Sequence, residues 1–216
     1  SAADASARVG QWLSPHRLEV QEQPERLSVE LNRVGLRHLS VSALRYSTAV
    51  TIDPGERGDH YLMQLPLRGR AEIRTGNAES QLDSHRLGVL LPRATTLMRW
   101  SADCDMVLLQ ASRDTVQRRL GGQAQPVRAA VSASRDDPGV AAWWRAAEDL
   151  VMNLDLHGQH WLRHPAALAS LEEFLLAAFT SLLQPYSDPA PAPGSRTDSR
   201  CLQRAKDYIH GHLDRA

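Results

Sequence analysis

The stretch HYLMQLPLRGRAEIRT, residues 60–75, carries the strongest fold signal in this chain. It consists of two short runs, residues 60–67 and 70–75, with Gly69 near their junction. Apolar residues in these runs alternate with polar ones or follow one another over only a few positions, which is typical of β-strands rather than helices. A glycine between two such runs indicates a turn. The stretch therefore predicts two consecutive strands joined by a turn.

The same pattern extends in both directions, over residues 38–112. Further strand-like runs are HLSVSALRY (38–46), TAVTI (48–52), RLGVLLP (86–92), TLMRW (96–100) and MVLLQAS (106–112). Turn-forming residues separate them, at Asp53-Pro54-Gly55, Gly58-Asp59, Gly76-Asn77 and Ser101-Ala102-Asp103. Short strands at this spacing predict an antiparallel sandwich or barrel of about seven or eight strands, and a cupin-like jelly-roll barrel is our expectation.

After Ser112 the apolar period becomes helical. Residues 113–122 predict a short helix that Ser112 caps and that Gly121-Gly122 ends. A second helix places Trp143, Ala147, Leu150 and Leu154 on one face. A third begins near Pro165, a favourable first-turn residue, and ends at Pro185. Strands followed by helices define an α+β fold class.

Composition changes divide the chain into five predicted segments. Trp12, Leu13 and Leu18 are the expected anchors of a partly ordered N-terminal arm. The last segment is an amphipathic helix that follows a proline- and serine-rich stretch. The segments are the arm (1–35), the barrel (36–122), the helical region (123–185), a linker (186–200) and the terminal helix (201–216).

Overall composition excludes several classes of function. The 216 residues carry a formal net charge of zero, whereas modules that bind nucleic acid usually carry a basic surplus. Cys104 and Cys201 are the two cysteines, and they match no metal or disulfide pattern. No run of about 18 consecutive apolar residues occurs, so we predict no membrane span. A cytoplasmic protein is the expectation.

The motifs of catalysis and metal binding are not found in the sequence. Metal-binding cupins place two histidines one residue apart on a strand, but His60 is followed by Tyr61 and no second histidine at that spacing. His157, His160 and His164 would share a side of one continuous helix, yet Gly158 and the proline after His164 mark a junction there, and exposed loop histidines are the simpler interpretation. Nucleophile-elbow and phosphate-loop motifs are missing as well. We therefore predict no catalytic residues, no metal and no cofactor.

A barrel of this size can enclose one small ligand. Several predicted strands carry a polar or aromatic residue in an apolar context, and an inward arginine such as Arg45 would need an anionic partner, for example the carboxylate of an organic acid. Alternation allows the other interpretation, in which these polar residues lie on the solvated strand face. The candidate ligand-binding residues are Arg45, Tyr46, His60, Tyr61, Gln64 and Trp100.

The third helix carries an apolar seam with alternating steps of three and four residues. A second set of apolar residues, including Phe174 and Phe179, widens the apolar surface, and a helix with two such faces usually has two neighbours. We predict a homodimer through this helix; alternatively, the seam simply covers the barrel. The candidate dimerisation residues are Leu168, Leu171, Leu175, Ala178 and Leu182.

Taken together, the runs 43–55, 60–73 and 87–116 and the tail 201–213 resemble the N-terminal half of AraC/XylS-type transcription regulators, in the branch that includes benzoate-responsive activators. Tyr61, Gln64, Leu67 and Gly69 fit the strand and turn of that branch, and Leu90-Leu91-Pro92 and Ser101-x-Asp103-Cys104 fit two further motifs. One departure is the run 84–91, where the family usually has a Pro-Gly turn and this chain has Gly88.

The resemblance implies a regulator in three parts. The barrel binds a small organic effector, the helices form the homodimer, and a C-terminal domain with two helix-turn-helix units binds DNA. On this view residues 201–216 are the first helix of a truncated DNA-binding domain, so DNA contacts lie beyond Ala216. The alternatives are a metal-independent cupin-like binding protein or enzyme, and a barrel too full to admit any ligand.

Overall fold

The computed structural model describes residues 1–120 and 131–183. Helices and strands alternate unevenly along them, with most of the strands before the long helices. In chain order they are α1 (Ala2–Gly10), β1 (Arg17–Val20), β2 (Val29–Gly35), β3 (Leu39–Tyr46), β4 (Val50–Asp53), β5 (His60–Arg68), β6 (Ala71–Thr75), β7 (Ala78–Leu82), β8 (Arg86–Leu90), β9 (Thr96–Trp100), β10 (Asp105–Ser112), α2 (Arg113–Arg119), β11 (Val131–Ser134), α3 (Pro138–Leu162) and α4 (Pro165–Leu183).

The strands form two facing antiparallel sheets. One sheet has the order β1-β4-β9-β6-β7, and the other has the order β11-β8-β5-β10-β3-β2. Eight strands, β3 to β10, lie between residues 39 and 112, which confirms the predicted number. The α+β class and the cupin-like barrel are also confirmed. Strand β7 was not predicted, because its sequence AESQL is mostly polar and largely exposed.

The six-stranded sheet is buried on both faces. In β5, Leu62 contributes to the core between the sheets, whereas Tyr61 and Met63 contribute to a second core under the helices. Strand β10 alternates in the same way, with Leu108 facing the other sheet and Leu109 facing the helices. Because side chains alternate between faces, a strand that is apolar at nearly every position fits a sheet covered on both sides.

The five-stranded sheet has one buried face and one solvated face. Ile73 and Trp100 belong to the core between the sheets. Their neighbours Glu72 and Arg99 lie on the outer surface, where the two side chains form an ion pair at 3.1 Å. This sheet therefore closes the barrel on the side away from the helices.

The N-terminal segment is more ordered than the predicted arm. Strand β1 pairs with β4, and β2 pairs with β3, so residues 1–35 extend both sheets. Val9 of α1 and Leu18 of β1 are buried in the barrel core, and Leu13 packs against it. Trp12 is half exposed instead, and the guanidinium of Arg33 lies 5.1 Å from its ring centroid.

Two glycines are required by close packing. Gly69 follows β5 with a φ of +67°, and a Cβ there would lie 2.7 Å from the backbone of Cys104 and from Ser101 Oγ. Gly88 lies in the middle of β8, where a Cβ would come within 2.7 Å of Leu82 Cδ1. Gly88 lies in the run 84–91, where the resembling family usually has a Pro-Gly turn. Its missing side chain lets the two sheets approach each other.

The helices begin where the sequence indicates. Ser112 caps α2 by accepting a hydrogen bond from the Thr115 N–H at 3.2 Å, and Pro165 is the first residue of α4, so both predicted starts are confirmed. The Trp143 indole N–H donates to the Leu175 carbonyl at 3.0 Å, which ties α3 to α4. The predicted helix ends at 121–122 and 185, the linker and the terminal helix lie outside the described residues.

Helix α4 is, by length and composition alone, long and apolar enough to cross a membrane. Part of its surface is buried within the chain, where Leu176 and Phe179 lie in the core shared with α3 and the six-stranded sheet. Glu172 is also buried on this helix. These contacts are those of a core helix in a globular domain.

Candidate ligand-binding cavity

A cavity lies between the two sheets at the end of the barrel next to α1. Its space amounts to about 440 Å³, part of which is open to solvent. The part of it that the centre of a water-sized group can occupy is about 40 Å³, which is space for a few such groups. Its walls are mainly apolar and come from both sheets and from the N-terminal segment, with contributions from Val9, Leu13, Leu44, Ile52, Leu62, Met98 and Leu108.

Strand alternation directs the polar residues of the barrel into this cavity. His60 and Gln64 share one face of β5 with Leu62, and all three line the cavity. Tyr46 on β3 and Trp100 on β9 approach it from the two different sheets, with ring centroids 5.8 Å apart. The facing sheets therefore bring together Tyr46 and Trp100, which are 54 positions apart in the chain.

Unpaired polar atoms concentrate on the residues that line the cavity. Within residues 1–120 and 131–183, six buried side-chain nitrogen or oxygen atoms have no hydrogen-bond partner, and five of them belong to residues that line the cavity. Buried polar atoms normally have partners, and leaving one without a partner costs about 1–3 kcal/mol. The five atoms are His16 Nε2, Tyr46 OH, Arg57 Nη2, Gln64 Oε1 and Trp100 Nε1.

Arg57 is the cation of the cavity. Only 3% of its surface is exposed, and Nη1 makes a long hydrogen bond of 3.4 Å to the Leu91 carbonyl. Burial lowers the pKa of Arg57 to about 10, so the guanidinium remains charged at neutral pH. Among the residues that the structure describes, none that lines the cavity is acidic. The acidic residue two positions away, Asp59, is half exposed and pairs with Arg93 and Arg113.

His60 lies beside this cation and is neutral at physiological pH. Its Nε2 is 3.5 Å from Ser14 Oγ, the outer limit of a hydrogen bond. Burial, and then the charge of Arg57, lower the pKa of His60 to about 4, although Asp59 opposes the shift. At neutral pH the cavity consequently contains the positive charge of Arg57, with His60 uncharged.

Three further polar side chains of the cavity carry no charge. The Gln64 amide nitrogen is 2.9 Å from Met98 Sδ, a weak acceptor, and its oxygen is unpaired. Burial raises the pKa of Tyr46, so the phenol keeps its proton and can donate a hydrogen bond. The indole N–H of Trp100 can only donate. The cavity thus offers donors and one cation inside apolar walls.

Four of the six predicted ligand-binding residues meet at this cavity: Tyr46, His60, Gln64 and Trp100. Arg45 does not, because it lies on the outer face of β3, where its Nε is 3.3 Å from Asp105 Oδ1. Tyr61 points to the helix side of β5 and packs edge-on against Phe179 at 5.9 Å. One step along a strand moves a side chain to the other face, so the neighbours of Tyr46 and His60 point away from the cavity.

Sequence reasoning missed Arg57 and His16. Both lie in irregular segments between strands, residues 54–59 and 11–16, where no periodicity indicates which way a side chain points. The charged and turn-forming composition of the segment around Arg57 is typical of an exposed loop. Only the packing of these segments over the end of the barrel brings the two side chains inside.

The seam proposed for dimerisation lies in the chain's own core. Leu168 and Leu175 are buried, and Leu171, Ala178 and Leu182 pack against the core between α3, α4 and the six-stranded sheet. This is the arrangement in which the seam covers the barrel. The largest apolar side chain exposed on α4 is Phe174, at 50% exposure.

The histidine cluster does not form a continuous helical face. At His157 the backbone of α3 leaves the helical region, with φ of −136°. The side chain of His160 lies outside the described set. In the part of the chain that the structure describes, no group of three or more metal-ligating side chains could hold an ion.

Comparisons with known proteins agree with this architecture. The curated relative described as probable thc operon regulatory protein, from Rhodococcus erythropolis, is 24% identical over 212 residues, which cover 92% of this chain. The match covers 62% of that relative, so this chain spans less than two thirds of its length.

Solved structures are similar to this chain at low sequence identity. The crystal structure of the AraC-like transcriptional activator CuxR matches with a TM-score of 0.65 and 13% identity, over 92% of this chain and 70% of that one. A cupin 2 conserved barrel domain protein from Salinispora arenicola matches 46% of this chain and 93% of its own length, at 17% identity and a TM-score of 0.34.

A family model described as AraC-binding-like domain matches residues 5–180. The match includes both sheets, the cavity and most of α4. The chain therefore belongs to the AraC-binding-like domain family.

Proposed function

We propose that this chain binds a small organic effector in the cavity between the sheets and catalyses no reaction. The observation that carries the proposal is the group of five unpaired, buried polar atoms around one apolar cavity. A ligand that bonds to these atoms would offset the cost of burying them, and the apolar walls would hold its body. An organic acid is one class of effector that the single cation would accept.

A non-catalytic role fits the chemistry of the cavity. Ser14 and His60 are the cavity residues whose side chains could act as a nucleophile and a base. Ser14 Oγ lies 3.5 Å from His60 Nε2, the outer limit of a hydrogen bond. Within residues 1–120 and 131–183, no carboxylate lines the cavity to orient the imidazole, and the lowered pKa of His60 makes it a weak base. The site is therefore better suited to holding a ligand than to transforming one.

The six-stranded sheet offers a route from the cavity to the helices. The same strand presents His60 and Gln64 to the cavity and Tyr61 and Met63 to the core under α3 and α4. A shift of β5 on ligand binding would change the packing of both faces. Effector binding would in this way bias the arrangement of the helices, and through them that of a separate DNA-binding domain.

We further propose that the whole protein is a cytoplasmic homodimer that binds DNA through a C-terminal domain. The exposed side of α4 is a suitable interface because Phe174 is flanked by small residues, Ser170, Ala177 and Ser181, that are also exposed. Small residues let two helices approach closely, and an aromatic ring supplies apolar contact area.

A thermal-shift screen of small organic acids, amines, amides and alcohols tests ligand binding. A ligand at 100 times its Kd stabilises the folded state by about 2.7 kcal/mol, which corresponds to a rise in Tm of roughly 5–11 °C for a chain of this size. Leu108→Phe adds volume to the cavity wall and should weaken every hit about 10-fold or more.

Arg45→Gln is the matched control, because this residue lies on the outer face of the same sheet. It should leave the affinities unchanged. The proposal fails if no compound in the screen binds, or if the hits bind to Leu108→Phe as tightly as to the wild type.

A further inference from the structure

We propose that the cavity selects small monocarboxylates with a compact apolar body, and that Arg57 is the residue that anchors the carboxylate. This inference rests on the proposed function and narrows it to one class of effector. The arginine that determines specificity is then Arg57 and not Arg45, because Arg45 lies on the outer surface.

The charge balance of the cavity is the first argument. Arg57 is only 3% exposed, and in the part of the chain that the structure describes no aspartate or glutamate lines the cavity. A buried charge without a counter-ion is unfavourable, because it loses the hydration that stabilises it in water. A ligand with one negative charge would supply the missing counter-ion.

The hydrogen bonding of the guanidinium is the second argument. Its Nη2 has no partner, and its Nη1 has only the long bond to the Leu91 carbonyl. A guanidinium and a carboxylate match in geometry, since both are planar and can form two parallel N–H···O bonds. Tyr46 and Trp100 add unpaired O–H and N–H donors to the same cavity, which favours an acceptor-rich group such as a carboxylate.

The remaining features limit the charge and shape of the ligand. The cavity has Arg57 as its cation, which favours a monoanion over a doubly charged phosphate. A second negative charge on the ligand would have no cationic partner among the cavity residues that the structure describes. The apolar walls suit a hydrocarbon or aromatic body.

Matched acids and amides test the inference in the wild-type protein. The probes are butyrate, benzoate and decanoate, each with its primary amide, and inorganic phosphate, with Kd measured by calorimetry. Losing a hydrogen-bonded charge pair should make each amide bind about 10- to 100-fold more weakly than an acid that fits. Phosphate should not bind measurably.

Arg57→Met separates an anchor from a structural arginine. Because the native residue is a buried cation without a counter-ion, the variant should unfold at the same Tm as the wild type or higher in the absence of ligand. It should bind acids about 10- to 100-fold more weakly and bind amides at least as well. Arg57→Lys keeps the charge without the planar fork and should give an intermediate affinity for acids.

The outcomes distinguish this inference from the proposed function. In the wild type, the carboxylate anchor is wrong if amides bind as tightly as acids or if phosphate competes with the acids. It is also wrong if Arg57→Met binds acids like the wild type or unfolds at a lower Tm. In each of these cases the cavity still binds ligands, so the proposed function stands. If neither acids nor amides, nor any other compound in the broader screen, bind to the wild type, the proposed function itself is wrong.

Discussion

Glu172 links the helices to the barrel, and its replacement should have a large effect on stability. This side chain on α4 is 2% exposed, and its Oε1 accepts hydrogen bonds from the backbone N–H groups of His38 at 2.5 Å and Leu39 at 2.7 Å. These two residues stand at the start of β3, so one carboxyl group joins α4 to the six-stranded sheet. Replacing it by alanine leaves both N–H groups without their acceptor.

The magnitude follows from the burial of these groups. An unsatisfied buried donor costs about 1–3 kcal/mol, and Leu39 is buried while His38 is half buried. Glu172→Ala should therefore lower the free energy of unfolding by about 2–4 kcal/mol. At about 2–4 °C per kcal/mol for a chain of this size, Tm should fall by roughly 4–16 °C. Glu172→Gln keeps an oxygen acceptor and should lose about half as much.

Urea unfolding followed by circular dichroism, with thermal melts in parallel, measures these changes. The neighbouring Glu173→Gln is the control, since Glu173 is exposed and pairs with Arg119 at the surface, where ion pairs contribute little. It should change stability less than either variant of Glu172. A loss below about 1 kcal/mol for Glu172→Ala would refute the reasoning, because two buried N–H groups cannot lose their acceptor at so small a cost.

Three further predictions follow from the packing and the charges. Gly88→Val should destabilise the barrel by at least about 2 kcal/mol in urea unfolding, because its Cβ would lie 2.7 Å from Leu82, and a stability equal to the wild type would contradict this. The lowered pKa of His60, about 4 against 6.5, means that the unfolded chain binds a proton more readily; stability should be full above about pH 6.5 and fall toward pH 4, and His60→Gln should flatten this dependence in a pH series of melts. In sedimentation, Phe174→Asp should dissociate the proposed dimer while the domain stays folded, whereas Leu175→Asp should unfold it because Leu175 is 1% exposed; a dimer that persists in Phe174→Asp would exclude this interface.

Much of the candidate site could be predicted from periodicity. His60 and Gln64 lie four positions apart on one strand, so alternation alone places them on the same face. Tyr46 and Trp100 also reach the cavity. A prediction that includes the neighbours Arg45 and Tyr46, and the neighbours His60 and Tyr61, could not hold for all four. Adjacent strand residues point to opposite faces, and the sequence contains no signal for which face is inside when both are apolar.

The seam on α4 shows the same limit for helices. Leucines at steps of three and four, such as Leu168 and Leu175, predict one buried face correctly, but they do not identify the neighbour. A homodimer partner and the chain's own sheet offer equivalent apolar surfaces, so the pattern in the sequence is identical for both. The fold selects the sheet, because the six-stranded sheet has an apolar outer face that needs a cover.

The amino-acid sequence by itself determined most strands between residues 39 and 112, the starts of α2 and α4, the cupin-like class and the family of this protein, since these depend on local period, capping and motif spacing. Only the tertiary structure decided that Arg57 is buried and that Arg45 is not. The physical reason is that burial of a loop residue depends on what the loop packs against. Segments 11–16 and 54–59 pack over the end of a barrel whose walls come from distant parts of the chain. The sequence of these two segments does not indicate that contact.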